Sequence, residues 1–525
     1  MQMKFKLFII TVLLLPLLSF GQQRWEILIS NADIDYSTLS ICHTYDNGLL
    51  TNARINLNNN IVFKTEVNGN IIWENNILSN NSFVVNRIIQ NNNGKTLFCG
   101  VINYNAFLFF TNECSEKIWC NKLVNPILFD ESQYVDAKFD TENTIIAIGS
   151  VYNNENGYDI SFTYFKNNGE LLWYNPLNLL QEYNLLDYSM PLYLDKVANG
   201  WIISGYCYYA YPDNPNLVWL KPMFIKTDSS FNKEWFLPYG MSDTIVGMAK
   251  GANLLDSLNI QGYGLYYPYK NSDTLNSLLM DFDTNGTEKS YIGISNNQLG
   301  NNVQNNSIIR LILKSDSNYI VASKYGEDDF TNPMGEWIMD TVGNIFQNQQ
   351  HINATGSNLS PLIRLDNNQY QFAYQYNFSD ILLYKLNADL TPAPIDTNMY
   401  VYDSLCPHAI VSDTIYLNDC DIVTALPEFS TPEAWQQARQ RVELTAYPNP
   451  VSGNTINFKL KYTRYHNNMQ LAVYDISGRL LATLPITSGA KTATLSIAGF
   501  SPGMHVAVVR DNKRVLGKAM FSVVE

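Results

Sequence analysis

The residues with the clearest claim to chemistry are Asp281, Asp283, Asn285 and Gly286, which read D-x-D-x-N-G. Alternate oxygens at this spacing can turn inward on calcium, a hard cation that takes oxygen ligands. The pattern fails at its twelfth position, where Ile292 stands instead of a bidentate glutamate. It also falls where sister segments carry plain Asn-Gly turns, so an ordinary turn competes with a weak calcium site. The acidic run Glu327-Asp328-Asp329 reads as a solvated loop. The five histidines are dispersed, with no His-Glu-x-x-His, no Gly-x-Ser-x-Gly and no phosphate loop. No catalytic residue, metal or other cofactor is expected from these patterns. Catalysis by carboxylates alone leaves no local signature, so a hydrolase or lyase acting on carbohydrate or peptide stays open beside a non-enzymatic reading, which is favoured.

Seven cysteines can cross-link: Cys42, Cys99, Cys114, Cys120, Cys207, Cys406 and Cys420. An odd count leaves at least one unpaired. Cys114 and Cys120 flank one hairpin turn, and Cys406 and Cys420 flank one short segment, so two local disulfides are the expectation, with buried free thiols the alternative for the first pair. Zinc is disfavoured, because no Cys-x-x-Cys or His pair accompanies them.

Two aromatic-rich connections are candidates for recognition. Tyr206, Tyr208, Tyr209, Tyr211 and Trp219 lie in one, and Tyr263, Tyr266, Tyr267 and Tyr269 in the next. They could form a stacking platform for sugar rings or a protein partner, or simply pack strands and loops together.

The elements that must position such groups are strands. Phe162 to Trp173 reads FTYFKNNGELLW, an apolar strand, an Asn-Gly turn and a second strand closing on Trp173. Variants of this hairpin alternate with a second kind of strand that follows a polar turn, as in NNGKTLFCGV from Asn92 and TENTIIAIGSV from Thr141. Counting both kinds gives seven four-stranded units at a period of roughly 50 residues, the signature of a β-propeller. The expected architecture is all-β, a seven-bladed propeller over 22–400. The Trp25 to Ser30 strand should complete the last blade, because Trp25 to Asn31 resembles the outer strand ending at Asn80 and the prolines near Pro392 weaken the last blade's own strand. The connections between second and third strands and between units swell at Tyr206–Lys221, Tyr263–Ser277, Tyr174–Leu192 and Leu237–Lys250. In propeller geometry these emerge on one face, where binding is expected.

Composition sets the setting. The chain has 525 residues, a hydrophobic fraction of 46% and 34 tyrosines, which argue for a folded protein. A net charge of −14 excludes a sequence-independent grip on nucleic acid. Lys4 and Lys6, the apolar Leu7 to Leu18 and Ser19-Phe20-Gly21 form a secretory signal peptide over 1–21. No later stretch reads as a membrane span. Residues 401–444 read as a linker, with the Cys406–Cys420 clip and a short helix after Thr431-Pro432.

From Tyr447 to Glu525, period-two strands are broken by Pro448-Asn449-Pro450, by the Tyr474-Asp475-Ile476-Ser477-Gly478-Arg479 turn and by Ser501-Pro502-Gly503. This suits a small immunoglobulin-like β-sandwich over 445–525. These motifs, with Leu495 to Gly503 and the closing Lys513 to Val523, resemble the type A C-terminal sorting domain of proteins exported by the type IX secretion system of Bacteroidetes. Two departures are Met504-His505, in place of the usual aromatic, and the final Glu525. The resemblance covers only this last domain. It implies partners in the translocon and sortase machinery, and a protein that is secreted or attached to the outer-membrane surface. The propeller would then act as a binding or adhesion module for glycan or protein.

Overall fold

Short Asx turns punctuate the strands. In a computed structural model, Asp283 Oδ1 accepts from the amides of Asn285 and Thr287, and Asp340 Oδ1 accepts in the same way from Val342 and Asn344. These side chains satisfy turn amides that the ladder leaves open. The structure describes residues 26–30, 37–424 and 442–524, apart from short loop segments within the last two spans. The signal peptide and the connector helix lie outside them. The chain divides into two compact parts, 1–429 and 430–525.

The first part is a succession of antiparallel four-stranded units: 37–78, 83–124, 131–176, 185–238, 246–294 and 305–355. A seventh runs over 362–386 and takes its fourth strand from the N-terminus. Glu26–Ile29 pairs antiparallel with Asp380–Leu386, Glu26 opposite Tyr384 and Ile29 opposite Ile381. The first strand of each unit packs on the first strand of the next, and that of unit seven packs on that of unit one. Apolar clusters fill the spaces between neighbouring units, as where Phe98 and Phe109 of unit two stack at 4.1 Å beside Trp73 and Ile77 of unit one.

Two of the recurring tryptophans join one unit to the next, while Trp73 donates to Asp403. Trp119 Nε1 donates to Asn167 O in the hairpin turn of unit three at 2.8 Å, and Trp235 Nε1 to Thr284 O in that of unit five at 2.9 Å. Each ring lies on a turn glycine at positive φ, Gly169 at 88° and Gly286 at 80°; an added Cβ would stand 3.0 and 2.7 Å from the indole. The Asn-Gly of the hairpin therefore serves both the turn and the neighbour's indole.

Five of the first strands share one irregularity. A β-bulge falls between Val85 and Arg87, Tyr134 and Asp136, Pro191 and Tyr193, Ala249 and Gly251, and Ile308 and Arg310. In four of these units the residue opposite the bulge's start is glycine: Gly100, Gly149, Gly205 and Gly264. A Cβ there would come within 1.9 to 2.1 Å of the carbonyl oxygens of Val84, Gln133, Met190 and Met248. The bulge brings backbone so close that only glycine fits.

The segment expected to be a linker is, as far as residue 424, a strap on units one and two. Asn68 and Asp396 exchange two hydrogen bonds, and Val67 N donates to Tyr402 Oη. Lys64, fully buried, bridges Asp46 at 2.6 Å and Asp403 at 2.5 Å. Thr414–Tyr416 adds a parallel strand outside unit one, and Asp421–Thr424 one outside unit two. The expected local disulfides are corrected accordingly. Cys114 bonds Cys406 and Cys120 bonds Cys420, at sequence separations of 292 and 300. The strap sets Cys406 and Cys420 beside unit two, with Cα–Cα distances of 5.0 and 4.5 Å to their partners. Cys42, Cys99 and Cys207 are buried free thiols, and burial pushes Cys42 and Cys207 up to about 12, which leaves them inert.

In the second part, strands 442–447, 455–462 and 492–496 form one sheet, and 469–475, 480–486, 503–511 and 514–523 another. Their inner faces share a core that includes Phe458, Leu471, Val509 and Phe521.

Two outcomes follow. Gly149→Ala loses about 1–3 kcal/mol as a downward shift of the urea midpoint, by overpacking against a carbonyl, whereas Gly453→Ala, in open space, stays within about 0.5 kcal/mol. Cys114→Ser with Cys406→Ser loses about 2–5 kcal/mol in the same measurement, by releasing a closed loop of the unfolded chain.

Candidate functional site

The bulges decide what the convergence of first strands presents. Their extra residues are Asn86, Val135, Leu192, Lys250 and Ile309. The first four line a cavity of about 350 Å³ among units two to five, together with Arg87, Asp136, Tyr193, Gln133, Met190, Met248 and Tyr206. A bulge re-aims a side chain that a regular pleat would send elsewhere, and here the same device acts in four consecutive units.

Electrostatics divide the lining. Asp136 is buried and saturated. Its Oδ1 accepts from Ala137 N at 2.9 Å and lies 3.3 Å from Arg87 Nε, while its Oδ2 accepts from Leu194 N at 3.0 Å and lies 3.5 Å from Lys138 Nζ. Arg310 extends the network: Nη1 donates to Tyr263 Oη at 3.0 Å, Nη2 is 3.9 Å from Asp195 Oδ1, and the guanidinium lies over the Tyr193 ring at 5.3 Å. Lys250 differs. It is 9% exposed and has no hydrogen bond or ion pair with any described residue. Burial pushes its ammonium down to about 8, and Lys324 pushes the same way. Lys324 is itself lowered by burial.

The expected aromatics fall on strands instead of loops. Tyr206 and Tyr208 belong to Gly200–Tyr211, a long strand paired with Asn214–Thr227, so the supposed loop is mostly an extended hairpin. Tyr206 reaches the cavity and Tyr208 is exposed. Tyr209, Tyr211 and Trp219 lie on this hairpin with side chains outside the described residues, as does all of Tyr269. Tyr263 is a core residue, 1% exposed and bonded to Arg310, which corrects its assignment to a loop. Tyr266 and Tyr267 end the same strand, the hydroxyl of Tyr266 lying where a Cβ on Gly293 would meet it at 2.1 Å.

Two of the three weak calcium candidates are occupied by protein donors. Asp281 accepts from Gln261 and Ser290, and Asp283 caps its own turn. Cys114, Cys406 and His408 cluster at metal-like distances, but the two sulfurs are bonded to each other. Arg87, Asp136, Lys250 and Lys324 escaped sequence reasoning. The available signal was a charge inside an apolar strand, as in FVVNRIIQ, opposite a strand bearing an unexplained glycine.

In the second part, Asn449 Oδ1 accepts from Ser522 N and Asn449 Nδ2 donates to Met520 O, pinning the Pro448-Asn449-Pro450 segment to the last strand. Arg479 closes its turn on Asp475 through N and Nε, at 3.0 and 3.1 Å. Gly478 lies outside the described residues. Gly503 opens the next strand at φ 132°, and His505 stacks between Phe500 and Phe521 with centroids 5.4 Å away on both sides. His505 thus fills an aromatic place.

The inverted linkage of Lys250 is testable. Its ordinary value is 10.5 and its folded value about 8. Below pH 8 both states hold the proton and the buried charge destabilises the fold in full; between 8 and 10.5 the unfolded chain holds more protons, so stability rises with pH. Lys250→Met is therefore more stable than the parent at pH 7, by up to ~3 kcal/mol, and urea melts show the gap narrowing as pH is raised from 8 to 10.

Comparison with known proteins divides along the chain. No curated protein matches the sequence. Among solved structures, a fungal alcohol oxidase of the AA5 family in complex with copper aligns over 95% of this chain and 98% of its own, at 11% identity and a TM-score of 0.42. The extracellular domain of a one-component system protein of B. thetaiotaomicron aligns over 96% of this chain, at 9% identity and a TM-score of 0.39. This chain spans 58% of that structure's length. The α-L-arabinanase of Penicillium chrysogenum, complexed with arabinobiose, aligns over 60% of this chain and 97% of its own, at 10% identity and a TM-score of 0.34. These likenesses are too distant to carry an argument. No helix among the described residues is long and apolar enough to cross a membrane. Residues 445–521 match the family described as secretion system C-terminal sorting domain. The chain thus ends in a sorting domain of the type IX secretion route, and the protein is secreted or attached at the outer-membrane surface.

Proposed function

We propose that this is a binding or adhesion module of a Bacteroidetes cell, exported by the type IX translocon and presenting a glycan or protein site at the cavity among units two to five. Under this reading the seven units form a seven-bladed β-propeller and 445–525 an immunoglobulin-like sandwich. The contact between the first strands of units seven and one, and the N-terminal strand within unit seven, support the propeller. The carrying observation is the cavity, built by one backbone device in consecutive units and lined by mixed apolar, amide and cationic groups. The alternative is a secreted hydrolase or lyase. The carboxylate that lines the cavity, Asp136, accepts two backbone amides and faces two cations, which leaves it without a free oxygen to deliver or take a proton.

Screening the exported protein on glycan arrays, with glycosidase, lyase and protease assays in parallel, tests this reading. Specific retention without turnover is the expected result, and turnover of any substrate overturns it. Removing 445–525 is expected to leave the protein in the periplasm, read by cell fractionation.

A further inference from the structure

The binding reading leaves the ligand's chemistry open, and the charges around the cavity narrow it. We propose that this cavity binds the acidic group of a small sugar acid, a carboxylate or sulfate ester on a single ring, with Lys250 as its principal counter-ion. The inference rests on the proposed binding function and deepens it.

Lys250 is nine-tenths buried, lines the cavity, and its ammonium has no partner among the described residues. A buried ammonium without a counter-ion is costly, and removing such a charge ordinarily stabilises a fold. Its position is not an accident of packing, because the bulge between Ala249 and Gly251 makes Lys250 the extra residue of its strand. A role in holding the fold together gives no reason for it, whereas an incoming anion supplies the missing partner.

The surrounding charge points the same way. Arg87, Lys138, Lys250, Arg310 and Lys324 bear on this region, against the carboxylates of Asp136 and Asp195. Both carboxylates are already engaged, Asp136 by Arg87 and Lys138 and Asp195 by Arg310. Positive charge is thus left over in the interior of a chain whose net charge is −14. Arg87 lines the cavity with its Nε 3.3 Å from Asp136 Oδ1. Lys324 lies close enough for its charge to lower Lys250. An anion settling between such groups gains charge-assisted hydrogen bonds in a low-dielectric site.

The rest of the lining suits a sugar ring more than a bare ion. Met190, Met248 and the half-buried Tyr206 offer apolar and aromatic surface, and the amides of Asn86 and Gln133 stand beside them. A volume of about 350 Å³ lies at the small end of ligand pockets, as a single ring requires.

Calorimetric titration of the intact protein at pH 7 with galacturonate, galactose 6-sulfate and neutral galactose tests the assignment. At least one acidic sugar is expected to bind about tenfold or more tightly than galactose, and whichever binds better identifies the head group. Lys250→Met is expected to lose about tenfold or more of that affinity while its melting temperature rises, and Lys250→Arg to retain most of it. Lys324→Met, a second variant, is expected to weaken binding less. Equal binding of galactose and the acids, or affinity unchanged in Lys250→Met, overturns the anion assignment. Retention of some other glycan or protein, with none of these sugars bound, overturns it too, and in both cases the binding function stands. Turnover of a substrate would instead remove the binding reading on which the assignment rests.

Discussion

A chain of four-stranded units that bury their faces on one another has two ends that need partners, and meeting that need shapes the first part of this protein. Unit seven lacks a fourth strand of its own and takes Glu26–Ile29 from the N-terminus. The residues after it cross to units one and two, where Lys64 is held between Asp46 and Asp403. Such a buried triad earns little net stability against an apolar substitute, but losing one partner leaves an uncompensated charge, so it fixes position strongly. The disulfides make the same connection covalently. Their closed loops enclose units three to seven, and they suit a protein bound for an oxidising exterior.

Within that frame, strand irregularity and site composition are one phenomenon. In four of the first strands the bulge needs a glycine opposite, since the facing carbonyl would stand about 2 Å from a Cβ. The same bulge places its extra residue where the first strands converge. Hence the backbone step that costs regular pairing at Gly149 or Gly264 also sets Val135 and Lys250 against the cavity. The aromatics of the long hairpin contribute less than their number suggests. Tyr206 reaches the cavity, while Tyr263 serves the core through Arg310.

Recurrence in a repeat chain therefore needs sorting by cause. The Asn-Gly turn and tryptophan recur because an indole of one unit lies on the turn of the next, as Trp119 does on Gly169. Asp283 and Asp340 stand at the same turn position because an Asx turn needs one acceptor for several amides. Residues that do not recur, such as Asp136 and Lys250, mark the place where one unit differs from its copies.

The sequence by itself determined the strands, their grouping into units and the sorting domain, because each rests on short-range information: apolar alternation, turn residues, and motifs such as Pro448-Asn449-Pro450 and Asp475 to Arg479. It also marked the N-terminal strand, since one unpaired outer-type strand stands before the first unit. Tertiary structure alone decided the disulfide pairing, because Cys406 and Cys420 meet partners some 300 residues away that no local spacing encodes. It alone decided the cavity as well. Arg87, Asp136 and Lys250 sit on three separate strands, and a bulge, invisible in the alternation of any one strand, brings them to a common face.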